Sequence, residues 1–369
     1  MRIGLDARFL THPQRGGFKS YTNTVIASLA QADSDDQFIL YTDRPMTSAV
    51  RLPGNFAVKP VSSRNSVIRE QVLLPAAMNR DRVDVAHFPC NTAPVRFAGR
   101  MAVTIHDTIP FRGGRSRPAN AKQRFIQAYW RATIPRCARI ADLVLADSSY
   151  VRDDLHARFS VPDERLRVVS LPVDPAFLGD APGLQPAGLG CPSSFVLGFA
   201  SPDGRKNHEC SIRAFNLIAS EFPGLKLVLV CSHRRTRECI PQGNGVMPIG
   251  PVSFEELLWL YRHAASLVFP SFDEGFGLPP LEAMACGTPV VVSKAGSLPE
   301  VVGECGVYAD PSDVAGIAEG MCRVLGDEQL RRTLIESGRK RAARFSRQRM
   351  GEDLIAAYAE AASERRIAA

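Results

Sequence analysis

The stretch FPSFDEGFGLPPLEAMACGTPVVVS, residues 269–293, decides the fold of the second half of this 369-residue chain. Its apolar ends are typical of buried strands, and its middle carries a glycine loop followed by a helix-forming run. Pro279 suits the first helical turn, which needs no intrahelical N–H donor. Gly287 suits the position just past a helix end. The stretch therefore predicts strand, loop, helix and strand, the repeating unit of a parallel sheet.

The loop and helix start inside this stretch favour an anion. Free N–H groups at a helix start attract negative charge, and Gly275 and Gly277 allow a ligand close to the backbone. Glu274 stands in the loop, and Glu282 follows eight residues later in the helix. An anion flanked by hydroxyl-binding carboxylates is what a sugar nucleotide presents. The competing interpretation is a common short GxG loop with ordinary surface glutamates.

The remainder of the chain alternates between strand-like and helix-like runs. Strands are predicted at residues 2–6, 38–42, 83–88, 102–105, 143–147, 195–200 and 225–230. Helices are predicted at residues 19–30, 66–79 and 119–139. This alternation predicts parallel sheets with helices on both faces. A Pro/Gly-rich break at residues 172–192 predicts a linker between two domains.

Composition narrows the class of protein. The chain is 45% hydrophobic and 22% charged, as in soluble globular proteins. It has no run of 18 apolar residues, and its start does not resemble a signal peptide. Nine cysteines without CxxC spacing favour free thiols in a reducing cytosol. We therefore expect a cytoplasmic protein without a spanning helix.

The net charge of +7 has several possible origins. No nucleic-acid recognition module is apparent, so we expect no nucleic-acid partner. An anionic substrate, an anionic membrane surface or a plain solvated basic surface all fit the charge.

The pattern Glu-x7-Glu within EGFGLPPLEAMACGTPVV resembles the signature of glycosyltransferase family 4, whose members are retaining enzymes of GT-B fold. The resemblance extends over nearly the whole chain. It implies two Rossmann-like parallel-sheet domains facing across a cleft that holds the active site. The implied divisions are an acceptor domain at residues 1–171, a linker at 172–192 and a donor domain at 193–345. A C-terminal helix at 346–369 is expected to return to the first domain.

The resemblance also assigns the donor side. Arg205 and Lys206, in an RKN segment, would neutralise the leaving diphosphate. Glu274 would hold hydroxyls of the donor sugar, and Glu282 those of the ribose. Further donor contacts are expected from Gly16, Gly17, Gly275, Phe276, Gly277 and Leu278. Many relatives carry a Gly-Arg or Gly-Thr pair where this chain has Phe199 and Ala200, so one diphosphate contact is absent from the pattern.

The acceptor side rests on polar residues at predicted strand ends. His106 and Asp107 follow the strand at 102–105 directly, and the resemblance places His106 beside the reacting sugar. His87 ends another strand and is the second choice. Asp6 and Arg8 border the acceptor in this interpretation. A structural histidine is the alternative for His106, and a simple strand-to-helix turn is the alternative for Gly16 and Gly17.

Two further segments suggest kinship or surface contacts. Arg69 and Glu70, within SVIREQVLLP, resemble an "EQ…LP" segment of mannosyl-transferring relatives. Residues 117–139 interleave basic and aromatic side chains, which suits either a packed amphipathic helix or an anionic membrane surface. Peripheral contact with the inner membrane face is therefore one expectation, and solvated charge is the other.

The resulting hypothesis is a retaining hexosyltransferase, with mannose from GDP-mannose as the preferred donor and a saccharide or lipid-linked saccharide as acceptor. We expect no cofactor and no catalytic metal, because the histidines show no HxxxH pairing and the one DxD precedes a strand. The alternatives are a GT-B-fold sugar-nucleotide epimerase and a sugar-nucleotide-binding protein without transfer activity.

Overall fold

The computed structural model describes residues 1–11, 16–46, 52–112, 121–187, 189–190, 194–241 and 243–363. The described chain divides into two compact units. The first unit comprises residues 1–112, 121–172 and 347–363, and the second comprises residues 173–346. Each unit is described separately below.

The first unit is built on a parallel sheet of seven strands in the described chain. The strands are β1 (Arg2–Asp6), β2 (Gln37–Thr42), β3 (Phe56–Pro60), β4 (Val85–Phe88), β5 (Arg100–Thr104), β6 (Leu143–Ala146) and β7 (Leu166–Val168). Their order is β3-β2-β1-β4-β5-β6-β7, and every pairing is parallel. The order reverses between β1 and β4, so a crevice opens at the carboxyl ends of these two strands.

Helices cover both faces of this sheet. They are α1 (Arg8–Thr11), α2 (Gly17–Gln31), α3 (Ser66–Ile68), α4 (Leu74–Arg80), α5 (Ala121–Ile140) and α6 (Ser149–Phe159), and a π-helical turn at Arg69–Leu73 joins α3 to α4. Successive residues of β2 point to opposite faces. Ile39 accordingly belongs to one core cluster, and Leu40 belongs to the other. The Ser148 hydroxyl caps α6 by accepting from the Val151 N–H.

The second unit repeats the design with six strands among the described residues. They are β8 (Ser194–Ala200), β9 (Leu225–Cys231), β10 (Val246–Ile249), β11 (Ser266–Phe269), β12 (Val290–Ser293) and β13 (Val307–Ala309). All pairings are parallel, in the order β10-β9-β8-β11-β12-β13. The reversal here lies between β8 and β11, which places the second crevice at their carboxyl ends.

The helices of the second unit are α7 (Pro175–Leu178), α8 (His208–Ile218), α9 (Arg234–Cys239), α10 (Phe254–His263), α11 (Leu278–Ala285), α12 (Leu298–Val302), α13 (Val314–Gly326) and α14 (Glu328–Ala342). The final helix, α15 (Arg347–Ser363), belongs to the first unit and packs along α2. Gly351 permits this approach, because a Cβ there would collide with the Ser28 carbonyl oxygen. Within the part of the chain described, no helix combines the length and apolarity that crossing a bilayer requires.

The predicted fold class is confirmed as two parallel-sheet α/β units, with two differences in detail. Four strands, β3, β7, β10 and β13, were not among the predicted ones, because all are short and only partly buried. The predicted linker at 172–192 is largely packed onto the second unit. Phe177 is buried against Tyr261, and the Leu184 N–H donates to the Glu255 carbonyl at 2.9 Å. Proline and glycine content marked this segment as irregular. Its buried residues Val173, Phe177 and Leu189 anchor it, whereas Leu178 and Leu184 are exposed.

Candidate active site

Two loops meet at the crevice of the second unit. One follows β8 and the other follows β11, and hydrogen bonds join them. The Phe272 N–H donates to the Arg205 carbonyl at 2.8 Å, and the Asn207 amide donates to the Pro270 carbonyl at 2.9 Å. Asn207 adopts φ of 52° at the start of α8, a left-handed conformation that asparagine tolerates. The RKN segment and the glycine loop are therefore held together at the switch point.

Lys206 and Glu274 form the central ion pair of this crevice. The Lys206 Nζ donates to both carboxylate oxygens of Glu274, at 2.7 and 2.9 Å. Lys206 also lies over the Phe269 ring, 5.2 Å from its centroid. The side chains retain exposures of 26% and 10%, so a ligand can reach them. The structure thus brings together two residues that the sequence assigned separately to diphosphate and sugar.

Arg205 already has a carboxylate partner, which the sequence did not indicate. Its guanidinium binds the Asp203 carboxylate side-on, with Nε at 3.1 Å from both oxygens and one Nη at 2.5 Å. Burial raises the pKa of Asp203, but hydrogen bonds and the charge of Arg205 outweigh burial and hold the pKa below its ordinary value. Asp203 was missed because a PDGR turn looks like simple turn chemistry. An anion at Arg205 has to share this arginine with Asp203.

The glycine loop holds a close-packed conformation that requires glycine. Gly277 adopts φ of +102° at the start of α11, and a Cβ there would lie 2.6 Å from a Leu298 methyl group. Ser297, which is fully buried, donates through its hydroxyl to the Glu274 and Phe276 carbonyls at 3.0 and 2.6 Å. Sequence reasoning missed Ser297, because a lone serine carries no pattern. These contacts hold the loop from Gly275 to the first residue of α11, Leu278.

Phe276 contributes its backbone to the loop, while its side chain packs inward. The ring is 5% exposed and meets Phe345 edge-on at 5.8 Å. The prediction that Phe276 contacts the donor is therefore restricted to its main-chain atoms.

Glu282 projects from α11 as a half-buried carboxyl group. It accepts a hydrogen bond from the Tyr261 hydroxyl at 2.8 Å. Burial raises the pKa of Glu282 to about 7; the hydrogen bond from Tyr261 opposes this effect, and the charge of Asp174 adds a smaller increase. Glu282 therefore changes protonation near neutral pH. A neutral or charged carboxyl here can bind two neighbouring hydroxyls, as a ribose presents.

His106 lies at the carboxyl edge of the first sheet. Its Nδ1 is 2.7 Å from the Asp147 carboxylate, and its Nε2 is 2.9 Å from the Pro89 carbonyl. Burial lowers the pKa of His106, but Asp147 and the two hydrogen bonds outweigh burial and raise the pKa above its ordinary value. The ring packs edge-on against Tyr21 at 4.3 Å. Both ring nitrogens face oxygen acceptors, an arrangement that favours the doubly protonated ring and holds it in place.

Asp6 and Arg8 lie in a charged network after β1. Arg69 donates to Asp6 at 2.8 Å, and Arg8 donates to Glu70 at 2.8 Å. Asp6 is 2% exposed, so Arg8 is the member of the pair that faces outward. The prediction that Asp6 itself touches an acceptor is contradicted by this burial. In the sequence, Arg69 and Glu70 indicated only a resemblance to mannosyl-transferring relatives. In the structure, Arg69 holds Asp6 and Glu70 holds Arg8.

His87 is a correction. It is fully buried, and its nitrogens meet the Thr104 hydroxyl at 2.8 Å and the Tyr358 hydroxyl at 2.7 Å. Burial lowers its pKa to about 3, with His106 adding to the effect. The prediction of an acceptor contact is wrong, because α15 covers this strand end. No local signal in the sequence reveals that covering.

The remaining predicted positions lie near the same edge. The Asp107 carboxylate accepts from the Ile109 N–H at 3.0 Å and so caps a turn. Gly16, with φ of 150°, precedes α2, and a Cβ at Gly16 or Gly17 would meet none of the described residues within 4 Å. Both glycines are therefore open to a ligand.

Metal ligation has no evident location in the described chain, where no three His, Cys, Asp or Glu side chains are grouped as ligands. The expectation that no metal or cofactor takes part stays a prediction.

The two switch-point crevices define the class. One parallel-sheet unit presents a fixed imidazolium and an arginine, and the other presents a lysine–glutamate pair beside a glycine-headed helix. Two family models match the chain, "Glycosyltransferase Family 4" over residues 16–177 and "Glycosyl transferases group 1" over residues 194–327. The fold is shared with sucrose-phosphate synthase from Thermosynechococcus elongatus, with a TM-score of 0.68 at 19% identity, over 97% of this chain and 98% of that one. The protein is a glycosyltransferase of GT-B fold.

Sequence relatives refine this class. The chain is 31% identical to O-antigen chain mannosyltransferase B of Escherichia coli over 294 residues, covering 76% of this chain and 75% of that protein. It is 32% identical to D-inositol 3-phosphate glycosyltransferase of Salinispora arenicola over 257 residues, covering 60% and 55%. The chain belongs to glycosyltransferase family 4, as the sequence predicts.

Proposed function

We propose that this glycosyltransferase transfers mannose from GDP-mannose to a saccharide or lipid-linked saccharide, with retention of the anomeric configuration. Relatives whose names specify mannosyl transfer support the sugar. The observation that carries the proposal is the bidentate Lys206–Glu274 pair at the second switch point. One ligand with adjacent diphosphate and hydroxyl groups satisfies both partners when they separate.

The proposed roles follow from this separation. Glu274 turns to hydroxyls of the donor sugar, which frees Lys206 for the diphosphate. The N–H groups at the start of α11, together with Arg205, add positive charge where the leaving group develops negative charge. Glu282 accepts from the ribose hydroxyls, and His106 provides a fixed cation beside the reacting sugar.

The chemistry we propose is attack from the same face as the leaving group. The anomeric carbon breaks its bond to the diphosphate oxygen and forms one to the acceptor hydroxyl oxygen. The acceptor proton passes to the departing diphosphate, so charge and atoms balance. A covalent route requires a free carboxylate nucleophile. Glu274 is poorly suited to that role, since Lys206 holds both of its oxygens.

The test is a donor-turnover assay on Lys206→Ala and Glu274→Ala. We expect each variant to lose on the order of 10²–10³ in turnover, the usual effect of removing one charge-stabilising group. Lys226→Ala is the matched control, because Lys226 lies near the start of β9, at the amino-terminal ends of the strands and away from the crevice. Wild-type turnover in both site variants would refute the assignment. Incubation with donor alone separates transfer from epimerisation, since an epimerase would change the sugar.

The donor base is tested by thermal shift against a nucleotide panel. A ligand that binds the folded state raises the melting temperature in proportion to the logarithm of its excess over the dissociation constant. We expect GDP to raise the melting temperature more than UDP at equal concentration. A shift with UDP and none with GDP would exclude GDP-mannose.

We further propose a cytoplasmic enzyme with peripheral contact to the inner membrane face, where a lipid-linked acceptor is reached. The described part of α5 exposes Arg124, Arg131, Arg136 and Arg139, and α5 contains no acidic residue. Phe125 is 62% exposed on the same helix. Basic residues near an anionic surface each contribute about 1 kcal/mol.

A further inference from the structure

Glu70 is the most heavily hydrogen-bonded carboxylate at the first switch point. Besides Arg8, it accepts from the Thr92 hydroxyl at 2.8 Å, the Tyr129 hydroxyl at 2.5 Å and the Gln71 amide at 3.1 Å. The residue is 1% exposed. A carboxylate with donors from four side chains has one fixed position, and it fixes Arg8 in turn.

The backbone around Glu70 is unusual. Arg69 and Glu70 open the π-helical turn between α3 and α4, and both are buried although they are consecutive. Arg69 serves Asp6 while Glu70 serves Arg8. Single π-helical turns inside helices are frequent at functional sites.

Arg8 presents the outward edge of this network. One Nη donates to Glu70, while its buried Nε lies 3.4 Å from an Asp6 carboxylate oxygen. The guanidinium lies over the Phe9 ring at 5.2 Å, and Phe9 packs against Phe18 at 5.5 Å. Phe18 in turn packs against His106 at 5.7 Å. Arg8 and His106 therefore flank the same two rings, an arrangement that suits a sugar with an apolar face and hydroxyl acceptors.

The charges around these rings are balanced. Arg8 pairs with Glu70, Arg69 with Asp6, and His106 with Asp147. In the adjoining chain, Lys19 and Asp107 add one charge of each sign. Each of the three cations that border these rings therefore already has a carboxylate partner.

We propose that Glu70 is a positioning residue that sets acceptor specificity. By neutralising and orienting Arg8, it makes this edge bind an uncharged, hydroxyl-bearing saccharide and disfavour a phosphorylated one. The proposal rests on the proposed function for the role of the first unit in acceptor binding. It names the chemical class of the acceptor end that reaches Arg8.

The donor crevice differs, although its charges are also paired. The Lys206 side chain is 26% exposed, and Lys206 is the side-chain partner of Glu274 in the described residues. That pair can separate for a ligand, and the N–H groups of α11 add positive potential. Glu70 is held by three donors besides Arg8, so its charge stays beside Arg8 when a ligand arrives.

The experiment compares Glu70→Gln with the wild type on methyl α-mannoside and mannose 6-phosphate. Binding is measured by titration calorimetry with the intact protein, and transfer by kcat and KM for each acceptor. The wild type should prefer the neutral sugar. Glu70→Gln leaves one uncompensated charge near the ligand, so the preference should move toward the phosphate by on the order of tenfold. The change should appear in KM more than in kcat.

Three comparisons guard the interpretation. Glu70→Asp should restore the neutral preference, because it restores the charge. Glu360→Gln removes the carboxylate of the exposed ion pair between Glu360 of α15 and Arg167, and it should not change the acceptor preference. If Glu70→Gln does not fold, Arg8→Gln should weaken neutral-sugar binding without any gain for the phosphate. Equal or tighter binding of mannose 6-phosphate by the wild type, or no binding of either sugar, would overturn the proposal. GDP binding, measured separately, shows whether the proposed donor function stands.

Discussion

Glu282→Gln is predicted to change stability and ligand binding in opposite directions. The variant should be more stable than the wild type at pH 8 and should bind GDP less tightly. The pKa of Glu282 rises from 4.5 to about 7 in the folded protein, because burial disfavours the charged form. Between these two values the folded protein holds a proton that the unfolded chain has released. Stability therefore falls as pH rises through this window, and the loss is complete above pH 7.

The size of the effect follows from the shift. A rise of about 2.5 in pKa corresponds to about 3 kcal/mol at 1.36 kcal/mol per unit. Partial exposure of the side chain lowers this figure, so we expect about 1–3 kcal/mol for Glu282→Gln. The amide cannot ionise, and its oxygen still accepts from the Tyr261 hydroxyl. Glu282→Gln should thus be more stable than the wild type at pH 8 and close to it at pH 5.

The assay is chemical denaturation of both proteins from pH 5 to pH 8, followed by a probe of the second unit. The control is Glu319→Gln, which changes an exposed glutamate on α13 of the same unit. GDP affinity should fall in Glu282→Gln, because an amide replaces the carboxylate proposed to meet the ribose. Parallel stability curves for variant and wild type across this pH range would refute the reasoning about burial.

Other substitutions separate backbone, core and surface effects. Gly277→Ala should lower the free energy of unfolding by about 1–2 kcal/mol, because alanine disfavours the left-handed conformation. It should also weaken GDP binding, because the added Cβ would displace Leu298. Gly326→Ala should be neutral in both assays, because a Cβ there would meet none of the described residues within 4 Å. His87→Ala should lower the free energy of unfolding by about 2–3 kcal/mol by leaving buried partners unpaired, whereas a main effect on acceptor KM would restore it as a site residue. Phe125→Ser should reduce sedimentation with anionic vesicles at low salt, and binding that persists in high salt would contradict an electrostatic surface contact.

Local rules account for the parts of the fold that were predictable. Short apolar runs between helix-like segments predicted β1 at Arg2–Asp6, as observed, and placed most other predicted strands to within two residues. The helix at 278–285 was readable because Pro279 and Gly287 mark its ends through fixed backbone preferences, and Gly287 indeed has φ of +80°. The resemblance to a known family added the identity of the donor-side residues, which periodicity alone does not supply.

What only the tertiary structure decided is which polar groups meet and which are buried. Lys206 and Glu274 are 68 positions apart, and His87 and Tyr358 are 271 apart. Arg8 and Glu70 likewise come together only when β1 and the π-helical turn share one sheet edge. Backbone preference arises from neighbouring atoms along the chain, so the sequence displays it directly. Burial and ion pairing arise when segments distant in sequence pack against one another. The local sequence around a residue does not show which distant segment will cover it.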